Sequence, residues 1–279
     1  MTDTDLYRNR DFIPDFDALM AEIEARSRRL AGEARMRRDL PYGPGPRQRL
    51  DLVFPPGDPV DAPIHVFVHG GYWRSGSKDA HTLVAGPVLA AGGIAAIVGY
   101  ELMPGTRLDA IVGQVRAAVR HVAAIAPELG ADPTRLSVSG HSAGAHLAAL
   151  LVARAPGDRQ APNLPEPRAL LLVSGIYDLS DIPGSFLKDE ARMRVDEAAD
   201  WSPATARHAP GPLRIITRGG RETAPFQDQA EALAADLRAG GHAIELRREA
   251  ERNHLDIVLD LADPEAPLGR RLSDLVADS

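Results

Sequence analysis

Residues Leu136–Leu150 read LSVSGHSAGAHLAAL, and the interpretation of the chain turns on them. A short apolar run ends at Gly140-His141-Ser142-Ala143-Gly144 and continues directly into an Ala- and Leu-rich segment with helical spacing. This is G-x-S-x-G in the context its chemistry requires, a strand, a sharp turn and a helix. At the tip of such a turn the serine backbone is strained and its hydroxyl stands clear of the sheet. Glycines on either side, lacking a Cβ, let strand and helix cross closely. The pentapeptide alone occurs by chance in many proteins. To be a nucleophile rather than an ordinary turn serine, Ser142 needs a base, an acid and an oxyanion hole elsewhere in the chain.

The flanking sequence has the rhythm of alternating strands and helices. Apolar residues at Phe16, Leu19, Met20, Ile23 and Leu30 predict an amphipathic helix over Asp15–Arg38, packed on the domain or bordering the mouth of a site. Pro41–Pro46 breaks it, and strands are predicted at Arg49–Phe54, Ile64–Val68 and Ile94–Val98, with a helix over Thr82–Ala91 between the last two. After Ser142 come a helix to about Arg154, a loop over Pro156–Pro167 and a strand at Ala169–Val173. A Pro-punctuated excursion spans Asp181–Pro203. A strand at Leu213–Thr217, a helix over Pro225–Ala239, a last strand at Ile244–Arg247 and a C-terminal helical pair complete the chain. The pattern predicts an α/β fold with a doubly wound, mostly parallel sheet flanked by helices. No repeat or linker divides it, so residues 1–279 are expected to form one domain, with 1–40 as a helical extension packed on it.

A serine hydroxyl is a weak nucleophile and needs a base in hydrogen-bond reach. In this architecture the partners follow in the order Ser, Asp or Glu, His. Four histidines follow Ser142. His146 lies inside the nucleophile helix, while His208 and His242 precede strands and so belong at the far edge. Sites in open α/β sheets form outside the carboxyl ends of the strands, which leaves His254 as the base. The leading acid is Glu222, after the strand ending near Thr217, with Asp178 its nearest competitor and Asp181 and Asp228 behind. The oxyanion hole calls for backbone N–H groups, from Ala143 after the nucleophile and from Gly70 and Gly71 after the strand at Ile64–Val68. The chain carries no H-E-x-x-H, and His141 and His146 are five apart, off the spacing for two ligands on one helix face. No nucleotide motif follows a strand. Neither metal nor cofactor is expected.

Composition narrows the function classes. The 279 residues carry a net charge of −7, which argues against a nucleic-acid partner. The absence of cysteine excludes disulfides and thiolate chemistry and fits a cytoplasmic protein. The polar N-terminus MTDTDLYRNRDF lacks the apolar core of a secretory signal, and no apolar run reaches the length of a membrane span. The expected partner is a small acyl substrate; the sequence leaves homodimerisation open.

His69-Gly70-Gly71-Tyr72-Trp73 resembles the HGGxW motif of the arylformamidases (kynurenine formamidases) of the α/β-hydrolase superfamily. The likeness extends through Tyr42-Gly43, Leu50-Asp51, Gly140–Gly144, Ser174-Gly175-Ile176-Tyr177-Asp178-Leu179 and Asn253-His254-Leu255-Asp256, and so covers most of the chain in order. Gly219-Gly220-Arg221-Glu222-Thr223 departs from it, because many relatives have Asp at the acid position. The resemblance implies an α/β-hydrolase fold with little or no separate cap. It also implies hydrolysis of N-formyl-kynurenine to kynurenine and formate, with Tyr72, Trp73 and Tyr177 available as an aromatic wall for the substrate. A short-acyl carboxylesterase and a catalytically silent binding protein are the alternatives.

Overall fold

The computed structural model describes residues 4–159 and 162–279. In chain order its elements are α1 (Phe16–Glu33), β1 (Arg35–Pro41), β2 (Arg49–Phe54), β3 (Ala62–Val68), α2 (Ala85–Ala90), β4 (Ile94–Val98), α3 (Leu108–Ile125), β5 (Ala131–His141) and α4 (Ala143–Ala149). There follow β6 (Ala153–Arg154), β7 (Ala169–Val173), α5 (Val195–Asp200), β8 (Arg207–His208), β9 (Leu213–Gly219), α6 (Ala224–Ala239), β10 (Ile244–Glu249), α7 (Asp256–Ala262) and α8 (Pro267–Ala277), with short 3-10 turns between. Eight strands form one sheet in the order β1-β2-β4-β3-β5-β7-β9-β10, parallel from β4 to β10 and antiparallel at β1 and β2. The sheet is the mostly parallel one that the alternation of strands and helices predicts, and the fold is the α/β-hydrolase fold that the resemblance implies. The first three residues, and positions 160 and 161 of the Pro156–Pro167 loop, lie outside the described residues.

The central strands are apolar throughout because both sheet faces are covered. Ile64, Val66 and Val68 of β3 join the core under α3, α4 and α6, while Phe67 turns to the opposite core with α2, α7 and α8. His65 is the polar exception on β3 and is fully buried. Its ring nitrogens meet Ser137 Oγ at 2.8 Å and Ser139 Oγ at 2.6 Å, two alternate positions on one face of β5. The two hydroxyls satisfy the imidazole in place, as buried polar groups require.

Two expectations need correction at the N-terminus. The helix ends at Glu33 rather than Arg38, and Arg35–Pro41 becomes the edge strand β1, so residues 1–40 are not wholly helical. Its exposed, arginine-rich face hides strand character, since an edge strand in water needs no apolar alternation. A bulge at Arg38-Asp39 interrupts its pairing with β2, and Asp39 adopts φ 55°. Lys78 pins the bulge, with Nζ 2.8 Å from Asp39 and 2.9 Å from both Asp51 and Asp79. Two helix lengths also differ. The segment over Thr82–Ala91 is a 3-10 turn at Asp79–Val84 followed by α2. The helix after Ser142 stops at Ala149, and Ala153-Arg154 pairs with Arg207-His208 instead.

Strand order reverses at β3: the chain passes from β3 to β4 on one side, then crosses to β5 on the other. Such a switch point opens a crevice at the carboxyl ends of the strands. There β5 turns into α4 under a hard steric limit. A Cβ on Gly144 would lie 2.0 Å from the Val68 carbonyl oxygen, and one on Gly140 would lie 2.3 Å from that of Gly144. Both clashes are with backbone, of β3 in the first case and of α4 in the second. Gly144→Ala is expected to lower stability by roughly 3 kcal/mol or more, beyond ordinary overpacking. Thermal unfolding followed by circular dichroism should show a drop of at least about 6 °C; an unchanged midpoint would contradict this reading of the crossing.

Candidate active site

Ser142 sits at the turn between β5 and α4 with φ 56° and ψ −121°, a strained conformation for a residue with a side chain. Its N–H is tied to the Val173 carbonyl at 2.8 Å, so the turn is anchored to β7. His254 follows β10, and its Nε2 lies 3.0 Å from Ser142 Oγ. The loop holding it is closed from both ends. Asn253 Oδ1 accepts the N–H groups of Leu255 and Asp256, and Asp256 Oδ1 accepts that of Asn253. Phe226 packs on the imidazole with ring centroids 4.3 Å apart.

Glu222 Oε2 lies 3.6 Å from His254 Nδ1, a charge contact slightly longer than a hydrogen bond. The other carboxylate oxygen accepts the Gly219 N–H at 2.9 Å and the Ser174 hydroxyl. Glycines bring the acid loop up to the base loop: a Cβ on Gly219 would meet the Arg252 carbonyl oxygen at 2.2 Å, and one on Gly220 that of Ala250 at 2.3 Å. The competing carboxylates lie elsewhere. Asp178 is exposed and caps its own turn through Ser180 N–H, Asp181 is exposed near the Tyr7 hydroxyl, and Asp228 faces solvent on α6.

His69-Gly70-Gly71 leaves β3 directly against the nucleophile turn. A Cβ on Gly70 would stand 3.0 Å from that of Ser142, and Gly71 adopts φ 115°. Among the described residues no protein acceptor takes the N–H of Gly70, Gly71 or Ala143. Three free donors thus stand at the carboxyl ends of β3 and β5 beside the serine. His69 itself is buried beneath the loop. Its Nδ1 meets the Gly70 carbonyl at 2.7 Å, its ring stacks on Tyr100 at 4.3 Å, and burial holds it neutral with its pKa pushed down to about 3.

The aromatic residues divide. Trp73 is fully buried, and its indole N–H donates to His146 Nδ1 at 3.1 Å, while His146 Nε2 meets the Trp201 carbonyl at 2.8 Å. Trp73 and His146 therefore brace the loop from beneath. Tyr177 is fully buried too, and among the described residues its hydroxyl has no hydrogen-bond partner. Tyr72 is partly exposed and packs edge-on against Phe186 at 5.5 Å. Its hydroxyl receives the Asn9 amide at 3.1 Å and donates to the Tyr7 carbonyl.

Sequence reasoning missed this contribution from the N-terminus. The helix α1 packs away from the site, with Ser27 Oγ on the Ala80 carbonyl at 2.8 Å. The segment ahead of it, Asp5–Asn9, runs instead beside Tyr72, Phe186 and Phe226, with Tyr7 and Phe226 rings 6.1 Å apart. Gln229 Nε2 holds the Tyr7 hydroxyl at 3.0 Å. No periodicity marks such a strap, and only Tyr7 in MTDTDLYRNRDF hints at it. His141 was likewise unassigned. It stacks obliquely on His254 at 4.8 Å, and its Nε2 lies 2.9 Å from the His254 carbonyl oxygen. Burial, then the neighbouring His254, hold its pKa well below the ordinary value.

The BD-FAE family model matches residues 50–206. The chain belongs to the BD-FAE family. It is similar to a kynurenine formamidase from Danio rerio, 29% identical over 246 residues that cover 86% of this chain and 82% of that protein. Carboxylesterase NlhH from Mycobacterium tuberculosis is also 29% identical, over 80% of this chain and 76% of its own. A solved structure from Silicibacter sp. superposes with a TM-score of 0.78 at 29% identity, covering 95% of this chain and 96% of the other. The BD-FAE chain is thus an arylformamidase-like hydrolase of the α/β-hydrolase superfamily. No helix among its described residues is long and apolar enough to cross a membrane.

The buried histidines make folding pH-dependent. His65 and His69 have pKa values pushed down to about 3, and His146 to about 4, each first by burial. Their folded values lie below the ordinary 6.5, so the unfolded chain binds more protons between the two. Their stabilisation is complete above pH 6.5 and is lost as pH falls toward 4 and 3. The melting temperature of the BD-FAE protein should be flat above about pH 7 and fall steadily from about 6.5 to 4, before carboxylate protonation dominates. A midpoint independent of pH across that window would contradict neutral burial.

Proposed function

We propose that the protein cleaves a small acyl group through an acyl-enzyme on Ser142, with His254 as base, Glu222 as acid and the N–H groups of Gly70, Gly71 and Ala143 as oxyanion hole. One observation carries the reading. The 3.0 Å contact from Ser142 Oγ to His254 Nε2 stands on the same imidazole that faces Glu222 at 3.6 Å, next to three unspent N–H groups.

The steps follow from the geometry. His254 takes the Ser142 proton as Oγ attacks the carbonyl carbon, and the carbonyl oxygen gains negative charge beside the free donors. Glu222 stabilises the imidazolium so formed. The tetrahedral species collapses as His254 gives its proton to the leaving group, an amine or alcohol. Water then enters, His254 removes its proton, and a second collapse frees the acid and restores Ser142.

For the substrate we propose an aryl formamide, N-formyl-kynurenine, giving kynurenine and formate. Similarity to a kynurenine formamidase along most of the chain supports it. So does the aromatic cluster that runs from Phe226, packed on His254, through Tyr7 to Tyr72 and Phe186, of which the partly exposed Tyr72 and Phe186 suit a flat leaving group. Tyr177, with its unpartnered buried hydroxyl, is proposed as a polar contact; Trp73 would act through the loop it supports. A short-acyl carboxylesterase is the second reading, favoured by equal identity to a carboxylesterase. We further propose a single domain over residues 1–279 and action on a small molecule in the cytoplasm.

Ser142→Ala should abolish turnover with unchanged circular dichroism. Glu222→Ala should lower kcat roughly a thousandfold or more, by analogy with loss of other triad acids, whereas Asp178→Ala should leave it intact. Specificity is tested by kcat/KM on N-formyl-kynurenine against p-nitrophenyl acetate. A large preference for the formamide is expected; parity or preference for the ester would establish the esterase reading instead.

A further inference from the structure

We propose that Ser174 is a positioning residue for the acid, holding the Glu222 carboxylate so that one of its oxygens stays available to His254. The inference rests on the serine-hydrolase reading above and adds a residue to it. Ser174 follows β7, is fully buried and adopts φ 52°, a left-handed conformation seldom seen outside glycine. Its N–H is fixed to the Thr217 carbonyl of β9 at 2.8 Å, and its hydroxyl donates to Glu222 Oε1. The same oxygen takes the Gly219 N–H at 2.9 Å.

Both donors therefore sit on Oε1, and Oε2 is left facing His254 Nδ1. Among the described residues no lysine or arginine pairs with Glu222, so its charge is met by two dipoles and the imidazole alone. A glutamate side chain has three rotatable bonds, and a carboxylate held by only one backbone N–H could swing about that contact. The Ser174 hydroxyl supplies the second fixed point. The left-handed turn has a use here, because it carries the hydroxyl of the residue that follows β7 across to a carboxylate that follows β9. A hydrogen bond to a carboxylate is charge-assisted and directional, which suits it to this task.

The test uses the full chain with p-nitrophenyl acetate, and Ser142→Ala as the reference for serine-dependent turnover. Ser174→Ala keeps the backbone demand and removes only the donor. It should lower kcat roughly ten- to a hundredfold, the rate equivalent of one hydrogen bond to a charged group, with KM within about twofold. The acid limb of kcat/KM should move to lower pH, because the imidazolium loses part of its counter-charge. Ser174→Gly, which relaxes the positive φ, should show the same loss at undiminished melting temperature and serves if the alanine variant folds poorly. In a Glu222→Ala background, Ser174→Ala should cost nothing further, since there is no carboxylate left to hold. Wild-type kcat and pH profile in Ser174→Ala, or an equal loss in both backgrounds, would overturn the assignment. Undiminished turnover in Ser142→Ala would instead overturn the serine-hydrolase reading beneath it.

Discussion

The approach of Gly144 to the Val68 carbonyl is the constraint on which the site depends. No β-carbon fits there, so β5 and α4 cross at a distance that only glycine allows. The crossing forces the residue between them into φ 56°, which lifts Ser142 out of the sheet and leaves the N–H of Ala143 without a protein acceptor. The same contact brings the end of β3 against the nucleophile turn, where Gly70 and Gly71 present their own free donors. One steric condition thus sets the positions of a hydroxyl and three N–H groups together. Neutral packing of apolar side chains could tolerate a shift of several tenths of an ångström; a site that must meet developing charge could not.

Around this crossing the protein uses uncharged imidazoles as structural parts. His146 accepts from the Trp73 indole, which is only a donor, so its proton must lie on Nε2, facing the Trp201 carbonyl. The contact of His69 Nδ1 with the Gly70 carbonyl requires the proton on Nδ1. His141 faces the His254 carbonyl through Nε2 and must carry its proton there. Each ring is a rigid spacer with donor and acceptor at set ends, and burial keeps each one neutral. Together they tie the His69–Trp73 loop to α4 and the end of β5 to the His254 loop. A charged ring at any of these places would repel the imidazolium that catalysis is proposed to form.

Legibility in the sequence followed how local each signal was. Strand ends such as Ile94–Val98 and Ala169–Val173 could be read to the residue, because buried parallel strands are uninterrupted apolar runs bounded by turn residues. Ser142, His254 and Glu222 were legible because chain order and the carboxyl ends of strands restrict where partners can lie. The edge strand β1 was not, since Arg35–Pro41 sets only Met36 and Leu40 against the core, among charges that continue the pattern of α1. Nor was the strap at Asp5–Asn9. Its meaning lies in contacts more than sixty residues distant, from Tyr7 and Asn9 to Tyr72 and from Asp5 to Phe186. Trp73 shows another limit: a motif does not say whether its aromatic faces the substrate or the core, and this buried indole, with a donor to place, pairs with His146.

The choice of glutamate over aspartate at 222 is explained by the geometry of its loop. The chain leaves β9 at Gly219, and the side chain three residues on turns back to accept that glycine's N–H. An aspartate held by the same N–H would carry its second oxygen about one methylene short of His254, a deficit near 1.5 Å by bond length. With glutamate the carboxylate reaches both the β9 terminus and Ser174 while its far oxygen faces Nδ1 at 3.6 Å. The added reach brings an added torsion, and that freedom must be removed if the acid is to orient the base. Gly219 and Gly220 shorten the gap between loops, and the donors on Oε1 restrict the carboxylate. Close backbone approach and two hydrogen bonds thus act at the same corner, and together they align a side chain that carries one torsion more than aspartate.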